Sequence, residues 1–197
     1  MGKIKRIVSC LIICVSVFSL SACGTESKSE NNTAIYGETI SKLEDNELFA
    51  IIDTNADSPV LLVTSQVYDD GTGNQAAITC DVYYPADKEV KKIGTVESMG
   101  TAYPISYDKT GIYAASGHSV NRFEIEKSGV MKLSEGFYEQ FDESGNATYI
   151  IEKENKSEAI TEEEYYTAFE KYSNATVVSF AYGASDATSI GAVSKNE

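Results

Sequence analysis

The sequence predicts an α+β fold dominated by an antiparallel β meander sheet, with a short N-terminal helix and a C-terminal helix near 162–173. Three observations predict this. LFAIID and PVLLVTSQVY are short runs dense in β-branched and aromatic residues, the composition of strands. Turn chemistry recurs between such runs at close, regular spacing, as in antiparallel sheets. One later segment, TEEEYYTAFEKYS, changes to a helical period and starts with a cap. No fixed-period repeat is visible, which argues against a propeller.

Residues 1–22 predict a signal segment. Lys3, Lys5 and Arg6 precede an uncharged run from Ile7 to Leu20. As a helix that run would be about 21 Å long, short of the roughly 30 Å hydrocarbon core, so it reads as an export signal rather than a membrane span. It ends in Leu20-Ser21-Ala22-Cys23, which resembles the lipobox of bacterial lipoproteins. The resemblance implies cleavage after Ala22 and lipidation of the Cys23 thiol by diacylglyceryl and palmitate-type acyl chains. Two acyl chains anchor a protein stably where one does not. The implied address is the cell membrane, lipid-anchored, on the extracytoplasmic side. Residues 23–33 then supply the lipidated cysteine and a flexible, polar tether without aromatic residues.

The globular part is expected over 34–182 as a single α+β domain. Tyr36, Ile40 and Leu43 recur at helical spacing and predict a short helix over Thr39–Glu47. LFAIID and PVLLVTSQVY follow, DDGTGN interrupts, and QAAITCDVYY resumes in a hairpin pattern. PADK at 85–88, DKTG at 108–111, KSG at 127–129 and ESGN at 143–146 mark further turns between short strands. Thr161 and Glu164 then fit a capping box, and three glutamates at 162–164 suit the positive end of a helix dipole. Tyr165, Phe169 and Tyr172 share the face expected to pack on the sheet. Residues 183–197 are small and polar, and a disordered tail is expected there.

Charge and cysteine content bound the function. Without residues 1–22 the chain carries 13 Lys+Arg against 30 Asp+Glu, a net charge of −17. That excludes nucleic acid as a partner, because phosphate binding needs a basic footprint. Cys10 and Cys14 leave with the signal and Cys23 is the lipidation site, so Cys80 stands alone and no disulfide is available. Cys80 alternates with Ile78, Val82 and Tyr84 and is expected as a buried hydrophobe rather than a reactive thiol.

One stretch invites a metal. Asp53, Asn55 and Asp57 sit at alternate positions, like the start of a calcium loop. The full loop wants Gly at its sixth position and Glu at its twelfth; here Ser58 and Thr64 stand there. The stretch also resembles the D-x-N-x-D-G-x-x-E-L strand-turn-strand unit of exported bacterial β proteins, without its Gly and its acidic residue. The simpler reading is a turn whose polar side chains bond local backbone. His118, the only histidine, cannot build a zinc cluster, and SGHSV reads as a turn or strand end. No G-x-S-x-G elbow, phosphate-binding loop or dinucleotide fingerprint is present.

From residue 34 to 173 the pattern resembles small exported lipoproteins of clostridial-type Gram-positive bacteria: a short helix, FAIIDTNADSPVLLV, a strand-rich middle, then EAITEEEYYTAFEKYS. That resemblance transfers no catalytic residues. The expectation is a non-catalytic envelope module that binds a protein or a small ligand. The alternatives are a surface hydrolase using paired carboxylates and a degenerate calcium-binding β domain.

Overall fold

The computed structural model describes residues 34–87 and 89–182. The expected signal segment, Cys10, Cys14, the expected lipidation site Cys23, the expected tether and the expected tail over 183–197 lie outside the described residues. What is described is α+β and mostly antiparallel.

The chain builds two stacked sheets rather than one meander. β1 (Leu48–Ile52), β2 (Val60–Thr64), β5 (Thr79–Ala86) and β6 (Glu89–Glu97) form a four-stranded sheet in the order β1-β2-β5-β6. β7 (Ser106–Asp108), β8 (Gly111–Ser116), β9 (Ser119–Ile125), β10 (Met131–Phe141), β11 (Ala147–Lys153) and β12 (Lys156–Ile160) run as a meander of six strands. β13 (Thr176–Val177) returns to pair with β7 and makes this a seven-stranded sheet. A two-stranded ribbon, β3 (Tyr68–Asp69) with β4 (Gln75–Ala76), projects between β2 and β5. Every pairing is antiparallel.

Alternation along the strands explains the stacking. In β1 and β2, Leu48, Ala50, Ile52, Val60 and Leu62 enter the core between the sheets. Phe49, Leu61 and Val63, on the opposite side, pack with Tyr36 of the first helix. A strand apolar on both faces needs cover on both faces, which a single half-solvated meander cannot supply. Ile112 and Ala114 of β8 face the shared core, while Tyr113 and Ala115 face the second helix. The layers therefore run helix, four-stranded sheet, seven-stranded sheet, helix.

The first helix, α1, is helical over 34–40 and then winds down through tighter turns, with Lys42 N–H donating to Thr39 and Leu43 N–H to Ile40. Helix was expected over Thr39–Glu47. The apolar face is still formed, since Ile40 and Leu43 pack against the same cluster as Tyr36. The Asp45-Asn46 turn ends the helical winding before β1.

The second helix, α2 (Glu162–Asn174), has the expected cap. The Thr161 hydroxyl accepts from the Glu164 N–H, and the Glu164 carboxylate accepts from the Thr161 N–H at 2.8 Å. Tyr165, Ala168 and Tyr172 are buried. The helix crosses from β12, at one edge of the seven-stranded sheet, to β13 at the other. The chain then ties the two sheets together: Val178 N–H donates to Ile105, Phe180 N–H to Gln75, and Ala181 exchanges both backbone bonds with Phe49.

The predicted turns are hairpin turns between paired strands. Ala86 pairs with Glu89, Asp108 with Gly111 and Phe141 with Ala147. Asp70 and Asp142 build their turns alike, each accepting from backbone N–H groups two and four residues on and from the amide of Asn74 or Asn146. These bonds hold the Asp70 carboxyl down at about 2. Gly129 adopts φ 79°, and a Cβ there would stand 2.7 Å from that of Ala86, so the β9–β10 turn needs its glycine.

Candidate functional site

The predicted cation loop connects β1 to β2. Asn55 N–H donates to the Lys109 carbonyl at 2.7 Å, Ala56 N–H to the Thr54 hydroxyl, and Ser58 N–H to the Tyr84 phenol. Asp57 lies 3.6 Å from the Lys127 ammonium. The loop is thus tied to the β7–β8 turn by one backbone bond, to β5 through Tyr84, and to the β9–β10 turn by one exposed ion pair. Among the described residues no group of three or more His, Cys, Asp or Glu side chains is arranged to hold a metal ion. Cys80 is buried in β5, and burial pushes its thiol up to about 12.

Thr54, Asn55 and Ala56 line one wall of a surface cavity of about 280 Å³. Thr110, Gly111, Arg122 and Glu124 are among the residues of the other wall. The cavity opens beside a polar plateau on the outer face of the seven-stranded sheet. Arg122 is its centre, with 15% of its side chain exposed. Its guanidinium bonds to the Glu124 carboxylate and donates to Glu135, Ser134 and the Thr110 carbonyl, each at 3.1 Å. Lys153 completes the Glu135 side at 3.0 Å. Tyr113 donates to Asp108 at 3.0 Å. Burial pulls the Glu135 carboxyl upward, and Lys153 and Arg122 outweigh it, holding it below the usual range. The donors are committed to protein acceptors, so this surface is built for structure.

The other half of the same face differs. The N-terminal end of α2 lies over it, and aromatic rings gather there. Tyr149 of β11 packs against Tyr165 at 5.0 Å and Tyr166 at 6.5 Å between ring centroids. Tyr165 meets Tyr166 at 5.4 Å and Phe169 at 5.2 Å. The Tyr149 phenol donates to Glu162 at 3.4 Å. Partial burial, then the Glu162 and Glu139 carboxylates, push that phenol up to about 12. His118 Nδ1 lies 2.7 Å from Glu139, and its ring stands edge-on to Phe141 at 5.4 Å. The histidine side chain is 65% exposed and the Glu139 side chain 13%.

Three features set this corner apart. Among the described residues neither Glu139 nor Glu162 has a lysine or arginine within ion-pair distance. Among the described residues the buried Tyr165 hydroxyl has no hydrogen-bond partner. Tyr166 and Phe141 remain 53% and 55% exposed. The arrangement can offer ring faces and uncompensated negative charge to a ligand.

Sequence reasoning missed this corner. Glu139 is 21 residues from His118, and only β-pairing brings the two together. The one signal was the glutamate run 162–164 beside Tyr165-Tyr166, which its role as a helix cap fully explained. Searches against protein-family models, curated proteins and solved structures find no match for this chain.

Proposed function

We propose that the chain is a lipid-anchored extracytoplasmic binding module of the cell envelope, held at the membrane through Cys23. The Leu20-Ser21-Ala22-Cys23 motif supports the anchor. The observation that carries the binding reading is the aromatic and acidic corner at the start of α2, where Glu139 and Glu162 have no lysine or arginine partner among the described residues while rings stand exposed. Such a surface costs stability through charge repulsion and apolar exposure, and a ligand offsets that cost.

The hydrolase alternative needs a carboxylic acid kept protonated near neutral pH. The resolved carboxylate shifts among the described residues all run downward, at Glu38, Asp70, Asp108, Glu126, Glu135, Asp142 and Glu164. The binding reading rests instead on the exposed rings and on the carboxylates of the corner, which have no lysine or arginine beside them among the described residues.

The anchor is tested by expressing the full chain in a bacterial host with labelled palmitate, then separating the cell extract between detergent and aqueous phases. The expected result is label and detergent partitioning for the native chain and neither for Cys23→Ala. Equal aqueous partitioning without label would overturn the anchor.

A further inference from the structure

We propose that Tyr149, Tyr166 and Glu162 form a recognition corner for an alkylammonium group, carried as a lysine side chain on a basic segment of a partner protein. This names the ligand class of the corner described above and rests on the binding reading.

Tyr166 follows Glu162 by one helical turn, so both side chains project from the same face of α2. The Tyr149 and Tyr166 rings stand 6.5 Å apart at 54°, a wedge rather than a stack. A cation is attracted to the face of each ring, and a carboxylate at the end of the wedge supplies its counter-charge. Glu162 occupies that end, 3.4 Å from the Tyr149 phenol. Behind the wedge, burial and then the Glu139 carboxylate keep the Tyr165 hydroxyl strongly neutral, and among the described residues this buried group has no hydrogen-bond partner. A buried hydroxyl without a partner is costly, and that cost falls at the back of the wedge.

Geometry selects the cation. A guanidinium binds best flat on one ring or forked on a carboxylate; a wedge of two tilted rings suits the compact ammonium on its flexible stem. The rest of the chain agrees. With 13 basic against 30 acidic residues after the signal, it steers basic segments toward itself and repels acidic ones.

The test uses the full acylated chain in neutral detergent, titrated calorimetrically with the blocked peptide acetyl-Lys-Lys-Lys-amide. Its fully Nε-acetylated form and phosphocholine are the comparison probes. The expected result is saturable binding of the lysine peptide, weakened about fivefold by Tyr166→Leu and by Glu162→Gln. Arg122→Met and Glu158→Gln should leave it unchanged. Thermal unfolding of each variant checks that it is folded. Equal binding of the acetylated peptide, unaltered affinity in Tyr166→Leu, or an equal loss in Glu158→Gln would each overturn the corner as a lysine site. Tighter binding of phosphocholine would overturn the choice of lysine. These outcomes are separate from the anchor: a chain that is acylated at Cys23 but binds no lysine peptide defeats this inference alone.

Discussion

Glu135 and Glu139 lie four residues apart on β10 and face the same side of the same sheet. Their side chains are 19% and 13% exposed. Glu135 is held by Arg122 and Lys153. Glu139 is met by His118 and by two tyrosines. Similar burial with opposite pairing separates two uses of charge. In the open half of the face, where no helix lies, the ion network takes the place of a covering layer. In the half at the start of α2, negative charge is kept without a lysine or arginine among the described residues, which is what the proposed cation site requires.

The sharpest way to break this comparison is to remove the centre of the plateau. Arg122→Met leaves Glu124 and Glu135 without the guanidinium, and the expected loss is about 2–3 kcal/mol, below the fully buried limit because the network is partly solvated. Equilibrium denaturation at pH 7 measures it. The loss should also depend on pH. Glu135 titrates below its ordinary value of 4.5 in the folded chain. Its contribution is therefore full above that ordinary value and disappears as pH falls through the lower folded one. The gap between native chain and variant should narrow from pH 5 to pH 3. A gap that widens on acidification would refute the pairing as its cause.

Next in size is the cap that positions the corner. Thr161→Ala removes the acceptor for the Glu164 N–H, and a loss of about 1 kcal/mol is expected by thermal or chemical unfolding. Smaller still is Tyr165→Phe. Deleting a buried hydroxyl with no partner among the described residues should leave stability unchanged or raise it by under ~1 kcal/mol. A loss above ~1 kcal/mol would reveal a partner for that hydroxyl and remove one support of the corner.

The smallest expected effect concerns Asp53, Asn55 and Asp57. With Asp57 beside Lys127 and the Asn55 backbone bonded to Lys109, millimolar calcium should move the unfolding midpoint by less than about 1 °C. A larger shift, abolished in Asp53→Asn, would establish a calcium-binding loop and transfer the functional argument to it.

Much of the fold was readable because its turns carry their own chemistry. Asp70 and Asp142, each with a nearby Gly and an Asn four residues on, organise loops that any sequence reader can find. The turn at Glu154-Asn155 was not readable. It uses two left-handed residues, φ 52° and 60°, without glycine. The second sheet was legible in principle, since LFAII and VLLVT are apolar in both registers and so demand cover on both sides. The path of β13 back to β7 was not, because two residues of strand carry no pattern. The corner escaped for a different reason. Its parts come from the β8–β9 turn, β10, β11 and α2, and each has a sufficient local explanation: a turn histidine, a strand glutamate, a core tyrosine, a helix cap. Only their meeting, with no lysine or arginine among the described neighbours, makes them a candidate site.

The most direct measurement is the denaturation free energy of Glu135→Gln and Glu139→Gln, side by side at pH 7. The account predicts a loss of about 2 kcal/mol for Glu135→Gln, which leaves Arg122 and Lys153 without their shared carboxylate. It predicts no loss, or a small gain, for Glu139→Gln, where the amide oxygen can still accept from His118 and a carboxylate only 13% exposed, with no lysine or arginine beside it among the described residues, is replaced by a neutral group. Equal losses in the two variants would contradict it, because the corner would then be as structural as the plateau.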